Sequence, residues 1–175
     1  QIANRFLDEL IKNGTTSVMT FCTSFKQSVE AFFNAAENRN LRMVAGKVMM
    51  DRHAPDELCD NPDNSYSDSK ELIEKWHNKS RLRYAVTPRF APTSSSSQLN
   101  QAARLLNEYP SDDQTKGVLL QTHLNENDEE IAWVNDLFPD SNSYFGVYED
   151  HGITGNRSVF GHCIHNTEEE YQRMA

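Results

Sequence analysis

The sequence predicts an α/β protein, an incomplete (β/α)8 TIM-type barrel of about five consecutive parallel βα units. Five apolar, β-prone segments begin roughly 25–40 residues apart, which is the repeat of a strand followed by a helix. Amphipathic helical patterns fill the gaps between these segments. Polar side chains collect where the segments end, and in a barrel such strand ends converge on one mouth that holds the active site.

The predicted strands are continuous apolar runs, as expected for parallel strands that are buried on both faces. They are Ser17–Cys22, Arg42–Met49, Leu82–Val86, Gly117–Gln121 and Ser158–Ile164. An open doubly wound sheet would show the same alternation of strands and helices. A dinucleotide-binding sheet of that kind would carry G-x-G-x-x-G after its first strand, and the sequence has neither this motif nor a P-loop. The barrel is therefore favoured.

The predicted helices follow apolar stripes with helical spacing. These stripes are centred on Leu7, Phe32, Ile73, Ala102 and Val134. Asn127 with Glu130, and Thr167 with Glu170, have the spacing of N-terminal capping boxes. Composition predicts loops at residues 51–69, which are acidic and contain two prolines, and at 91–97, APTSSSS, a βα loop that ends in a helix N-cap.

Composition excludes several classes of partner. The chain has 175 residues, the size of one domain, and a net charge of −9, which argues against binding to nucleic acid. Its apolar runs are far shorter than the roughly 20 residues of a membrane-spanning helix. Three widely spaced cysteines favour a reducing compartment, so we expect a cytoplasmic protein. Both chain ends fall within predicted helices, which we interpret as an internal piece of a longer protein.

The segment QTHLNEN contains the first candidate site residues, His123 at a strand end and Glu126 three residues later. A metal-binding histidine beside a carboxylate suits hydrolysis, because the metal lowers the pKa of bound water and the carboxylate moves its proton. The same pattern also fits a polar strand end that runs into a helix, with Glu126 facing the helix dipole.

Two further strand ends contribute candidates. FGHCIH supplies His162 and His165, one of which would approach His123 from the neighbouring strand; a buried structural histidine is the alternative. TPRF supplies Arg89 and Phe90, a planar fork of donors and an aromatic face, which together suit a planar heterocycle with a carbonyl group. An arginine–carboxylate pair at the barrel rim is the alternative for Arg89.

Six ordered blocks of the chain resemble the guanine deaminases of the amidohydrolase superfamily. They are GTTSVMTFCTS, LRMVAGKVMMDRHAPDEL, KWHNKSRLRYAVTPRFAPTS, LLQTHLNENDEEIAWV, LFPDSNSYFGVYEDHGITG and SVFGHCIH. The resemblance covers essentially the whole chain in one register, and AGKVMMDR and AVTPRFAPTS are specific to the deaminase branch.

The resemblance implies a zinc-dependent enzyme of purine catabolism. By motif match, His123 and His162 are ligands of one zinc ion, Glu126 is the proton shuttle, and Arg89 and Phe90 recognise guanine. A water molecule activated by zinc would attack C2 of guanine. Glu126 would take the water proton and protonate the ring nitrogen, and would then protonate the leaving amine, giving xanthine and ammonia.

The resemblance also implies that the site is incomplete in this chain. Residues 1–175 would form part of a metal-dependent barrel domain without its first strand and last two strands, and would hold two of the family's five zinc ligands. The isolated chain is then expected to be inactive, and its parent to be a homodimer. Two alternatives remain: another aminohydrolase of the superfamily, acting on a different cyclic amidine or a triazine, and a non-catalytic remnant of the barrel.

Overall fold

A computed structural model describes residues 1–110 and 116–175, and a curled parallel sheet forms the centre of the fold. The strands are β1 (Ser17–Phe21), β2 (Arg42–Gly46), β3 (Val48–Met49), β4 (Leu82–Pro88), β5 (Leu119–Leu124) and β6 (Ser158–His162). They lie in the order β1-β2-β4-β5-β6, β3 also pairs with β4, and every pairing is parallel. The predicted α/β half-barrel of parallel βα units is confirmed.

Helices follow the strands and cover the sheet. They are α1 (Ile2–Lys12), α2 (Lys26–Glu37), α3 (Pro62–Trp76), α4 (Ser96–Glu108), α5 (Asp128–Leu137), α6 (Tyr144–Asp150) and α7 (Glu168–Met174). Both predicted N-termini have their caps: Asn127 accepts the amide of Glu130, and Thr167 forms a reciprocal capping box with Glu170. Among the described residues, no helix has the length and apolar character needed to cross a membrane.

The main core lies between the sheet and these helices. Phe33 on α2 and Trp76 on α3 are buried, with ring centroids 5.7 Å apart. Leu99 and Leu105 on α4, and Val134 on α5, are fully buried in the same cluster. Burial of each such side chain stabilises the fold by about 1.5–3 kcal/mol. This packing holds the strands, and therefore their ends, in fixed positions.

The prediction of one strand over Arg42–Met49 was wrong, because Lys47 interrupts it and separates β2 from β3. Gly46 lies so close to β4 that an added Cβ would be 1.8 Å from the carbonyl oxygen of Ala85. The Lys47 side chain is 1% exposed and forms an ion pair with Asp60. A buried ammonium needs such a partner, so a long-range contact accompanies the break in an apolar run.

The prediction of a loop over residues 51–69 was wrong in its second half, since α3 begins at Pro62. Proline is favourable at the first helical position, and the Asn61 side chain accepts a backbone amide of the first turn. Ser65 and Ser69 are fully buried on the inner face. The helix therefore begins with small polar residues, which composition alone assigned to a loop.

Strand ends also differ from the prediction. β4 extends to Pro88, and β5 runs over Leu119–Leu124, two residues later at its start and three at its end than predicted. Thr87 and Thr122 in the added parts are buried, and Gln121 donates to the hydroxyl of Thr87 at 3.0 Å. β6 ends at His162, two residues earlier than predicted, where φ is +70° and leaves the extended region.

Helix α6 was not predicted at all. Its residues Tyr144, Phe145, Val147 and Tyr148 are buried against the core. The βα unit that starts with β5 thus has two helices before β6. The second helix, α6, contacts the end of β5 through Tyr148.

We expect Gly46→Ala to lower the free energy of unfolding by about 1–3 kcal/mol or more, the usual cost of overpacking. The added methyl group would collide with backbone of β4, which cannot rotate away. Gly146→Ala in α6 is the matched control, since its new Cβ would meet Ser143 at an ordinary 3.5 Å. Urea denaturation measures both; equal midpoints would contradict the close approach at Gly46.

Candidate active site

The pairing of β5 with β6 places two histidines side by side. His123 is opposite Gly161, and Leu124 is opposite His162. The imidazole rings of His123 and His162 are nearly parallel, with an interplanar angle of 20° and centroids 5.3 Å apart. Gly161 leaves space beside His123, since its added Cβ would be 3.7 Å from that ring. Two strand-end histidines therefore face one common space.

Glu126 reaches the same space from the loop after β5. Its Oε2 is 3.5 Å from Nε2 of His162. The side chains of His162 and Glu126 are 35% and 45% exposed, so water has access to both. A carboxylate, an imidazole and solvent thus meet at the end of the sheet, which is the arrangement that proton transfer to or from water requires.

A backbone hydrogen bond determines which nitrogen of His123 is available. Nδ1 lies 2.6 Å from the carbonyl oxygen of Arg89. Because a carbonyl oxygen can only accept, Nδ1 carries the hydrogen and Nε2 of the neutral ring keeps its lone pair. Metal-binding histidines are oriented in this way by a hydrogen bond at the other ring nitrogen.

Arg89 and Phe90 lie on the β4 side of His123. The guanidinium carbon of Arg89 is 4.8 Å from the centroid of the Phe90 ring. That ring meets His123 edge-on at 6.1 Å and Trp133 of α5 edge-on at 6.5 Å. A planar cation and an aromatic face are therefore next to the histidines.

A cleft of about 470 Å³ opens beside these residues. Phe21, Val48 and Met50 contribute apolar walls, while Arg89 and His123 contribute polar groups. Cys22 also lines the cleft, and burial raises the pKa of its thiol to about 12. This thiol stays protonated at neutral pH, so it forms part of an apolar wall and is not a nucleophile.

His165 does not reach the histidine pair. Its Nδ1 lies 3.5 Å from Oδ1 of Asp128, which is 89% exposed, at the N-terminus of α5. His53, to which the sequence assigned no role, packs its ring 5.2 Å from Trp133 and contacts the carbonyl oxygen of Pro92 with Nδ1. Neither residue lines the cleft of about 470 Å³.

The donor set suits part of a zinc site. Imidazole nitrogen is a preferred zinc ligand, and the tautomer of His123 leaves one lone pair for a metal. Within residues 1–110 and 116–175, no group of three or more His, Cys, Asp or Glu side chains is placed to hold a metal ion. The described residues thus place two histidines side by side, with Glu126 nearby.

The sequence profile of the amidohydrolase family matches residues 1–175. The chain belongs to the amidohydrolase family.

Guanine deaminases are among the similar amidohydrolases. The chain is 52% identical to guanine deaminase of Escherichia coli K12 over 170 residues, which are 97% of this chain and 37% of that relative. The solved E. coli structure has a TM-score of 0.93 and covers 98% of this chain and 39% of its own. Guanine deaminase of C. acetobutylicum, solved with guanine in its active site, has 36% identity and a TM-score of 0.88 over 96% of this chain and 39% of its own. The chain thus spans less than two fifths of these relatives.

A more distant amidohydrolase shares the fold alone. The atrazine chlorohydrolase of Arthrobacter aurescens has a TM-score of 0.84 at 19% identity, and covers 99% of this chain and 39% of its own.

The sequence missed a buried tyrosine that supports the site of this amidohydrolase. Tyr148 of α6 donates its phenolic hydrogen to the carbonyl oxygen of His123 at 2.8 Å and accepts the amide of Ala91 at 3.0 Å. The hydroxyl of Thr122 is 3.1 Å away. Burial raises the pKa of Tyr148, so the phenol remains a donor. One side chain thereby connects the ends of β4 and β5.

The loops after β3 and β4 are also joined. The carboxylate of Asp51 accepts the backbone amide of Ser95 at 2.8 Å and the hydroxyl of the same residue. Arg52 donates to the carbonyl oxygen of Ala91 at 3.1 Å. These contacts hold the segment that contains Arg89 and Phe90. Local sequence patterns could not predict the contacts, because the partners lie about 40 residues apart in the sequence.

We expect Tyr148→Phe to lower the free energy of unfolding by about 1–3 kcal/mol, because it removes a buried partner from the Ala91 amide and the His123 carbonyl. Tyr171→Phe is the matched control, since that tyrosine is 48% exposed. Its surface substitution should stay within about 0.5 kcal/mol. Comparable losses for both variants in urea denaturation would show that Tyr148 does not connect the two strand ends.

Proposed function

We propose that residues 1–175 form part of the barrel domain of a zinc-dependent guanine deaminase, which converts guanine and water into xanthine and ammonia. The observation that carries the proposal is the group at the strand ends: paired His123 and His162, with Glu126 3.5 Å from His162. Support comes from 52% identity to the E. coli guanine deaminase and from the guanine bound in the C. acetobutylicum relative.

His123 and His162 would hold the zinc ion together with ligands that the described residues do not supply. When bound, zinc would lower the pKa of a water molecule and withdraw charge from the reacting group. The chain's contribution is to orient the two rings, through the Arg89 carbonyl for His123 and through the end of β6 for His162.

Glu126 would move the protons. As a carboxylate it removes a proton from the attacking water, whose oxygen forms the new bond to C2 of guanine. It would deliver that proton to the adjacent ring nitrogen. It would then take the second proton from the hydroxyl group newly attached to C2 and pass it to the amino group, which leaves as ammonia when the exocyclic C2–N bond breaks and the C2 carbonyl forms. The contact of Glu126 with His162 and its access to solvent support this role.

Arg89 and Phe90 would select the purine. The guanidinium offers donors in one plane to the guanine carbonyl oxygen, and Phe90 offers a face for stacking. The packing of Arg89 over Phe90 limits the orientations of both groups, which reduces the entropy that substrate binding costs.

A panel of substrates distinguishes this proposal from its alternatives. The complete enzyme containing residues 1–175 should release ammonia from guanine in preference to adenine, cytosine and an aminotriazine. Preference for a triazine would favour the alternative aminohydrolase. Absence of turnover with every substrate would favour the non-catalytic remnant.

In that enzyme, Glu126→Gln should lower kcat by roughly 10²–10⁴-fold, the typical contribution of a general acid–base group. Glutamine cannot accept the water proton, although it fills the same space. Glu129→Gln is the matched control, because Glu129 is exposed in the first turn of α5. Ammonia release at saturating guanine measures both, and a Glu126 variant as fast as its control would remove Glu126 from the mechanism.

A further inference from the structure

We propose that Asn125 and Glu170 act as a pair of positioning residues that aim Glu126 at the histidines. The inference rests on the proposed function, since it assumes that Glu126 is the proton shuttle. Neither residue reaches the reacting groups. Their role follows from the backbone before Glu126 and from the contacts that hold it.

The backbone at Asn125 is in the left-handed region, with φ of +50°. This conformation is unfavourable for a residue with a side chain, and asparagine tolerates it better than most. Asn125 lies between Leu124, the last residue of β5, and Glu126. The chain therefore turns at Asn125, and this turn determines where the Glu126 side chain points.

Two side chains beyond β6 hold Asn125, which is only 2% exposed. Its Nδ2 donates to Oδ1 of Asn166 at 2.8 Å and to Oε2 of Glu170 at 3.1 Å. Its carbonyl oxygen accepts the amides of Ile164 and His165, both at 3.1 Å. Both the side chain and the backbone of Asn125 are thus fixed by the segment that follows β6.

Glu170 is suited to hold a neutral amide in a buried place. It is 4% exposed, and its Oε2 also accepts the amide of Thr167 at 3.0 Å. Burial raises the pKa of Glu170, but donors from Thr167, Ser143 and Asn125 outweigh it and hold the pKa below its ordinary value. The group is an ionised acceptor at neutral pH, and hydrogen bonds to a charged acceptor are the stronger ones.

The same segment presents His162 at its other end. His162 and Cys163 both have positive φ, +70° and +54°, and the Cys163 amide donates to the carbonyl oxygen of Leu124 at 2.9 Å. The distance between Glu126 and His162 is thereby set by cross-links between two strand ends. An ordinary helix cap at α7 would need Thr167 and Glu170 alone, and would not need Asn125.

Three variants of the complete zinc-loaded enzyme separate positioning from capping. Glu170→Ala removes the anchor of Asn125 and should lower kcat at least 10-fold, with KM for guanine and zinc content unchanged. Glu170→Gln keeps an acceptor of the same size and should restore most of kcat. Thr167→Ala removes the cap hydroxyl of α7, which is also a donor to Oε2 of Glu170 at 3.3 Å, but keeps the bond between Glu170 and Asn125. It should therefore leave kcat near the original value while it destabilises the helix.

Asn125→Gly covers the case in which Glu170→Ala does not fold. Glycine adopts positive φ without strain, so this variant loses the anchored side chain but not the turn. It should show the same loss of kcat. Combining it with Glu170→Ala should reduce kcat no further, because residues that act as one unit are not additive.

Hydrogen exchange in the zinc-free enzyme gives a readout that is independent of turnover. The amides of Ile164 and His165, which donate to Asn125, should exchange faster in Glu170→Ala and Asn125→Gly but not in Thr167→Ala. Unchanged exchange at Ile164 and His165, or equal losses of kcat in Glu170→Ala and Thr167→Ala, would contradict the proposal and show that Glu170 acts only as a helix cap. If the unaltered enzyme does not deaminate guanine, the proposed function fails. The exchange data alone then test whether Glu170 anchors the backbone turn at Asn125.

Discussion

The parallel register of β5 with β6 is the constraint on which the candidate site depends. It places His123 opposite Gly161 and Leu124 opposite His162. Regular alternation along the strands would send the two histidine side chains to opposite faces, but β6 ends at His162 with φ of +70°, and the ring of His162 stacks on that of His123. Hydrogen bonds from the residue that precedes β6 fix the N-terminal end of this pairing. Arg157, just before β6, donates to the carbonyl oxygens of Leu106, Tyr109 and Val118.

The groups proposed to act and the groups that hold them differ in burial. His162 and Glu126 are partly exposed, as contact with water and substrate requires. The side chains that hold their backbone are buried: Tyr148 donates to the carbonyl oxygen of His123, and Glu170 accepts the side-chain amide of Asn125. Such packed support limits the positions available to the exposed groups, which is how a site maintains its geometry.

Local pattern was sufficient for the parts of the fold that depend on local chemistry. Apolar runs gave the strands, and Asn127 and Thr167 gave helix starts, because caps act within one turn. His123 and His162 could be paired because consecutive βα units place strand ends together.

The remaining features depend on distant contacts. The break at Lys47 accompanies an ion pair with Asp60. Tyr148 of α6 supports the site through a hydrogen bond to the backbone of β5, at His123. The link between Asn125 and Glu170 spans 45 residues. Periodicity and composition contain no record of such pairs, so the sequence predicted the candidate site residues but not their supports.

Zinc content is the most direct test of the central claim that these strand ends form a metal site. Elemental analysis of the complete enzyme should find one zinc ion per chain in the original protein and in His165→Ala, because the side chain of His165 contacts Asp128. His162→Ala should lose most of its zinc. Equal zinc in His162→Ala and His165→Ala would contradict the account, because the histidine next to His123 would then have no part in binding the metal.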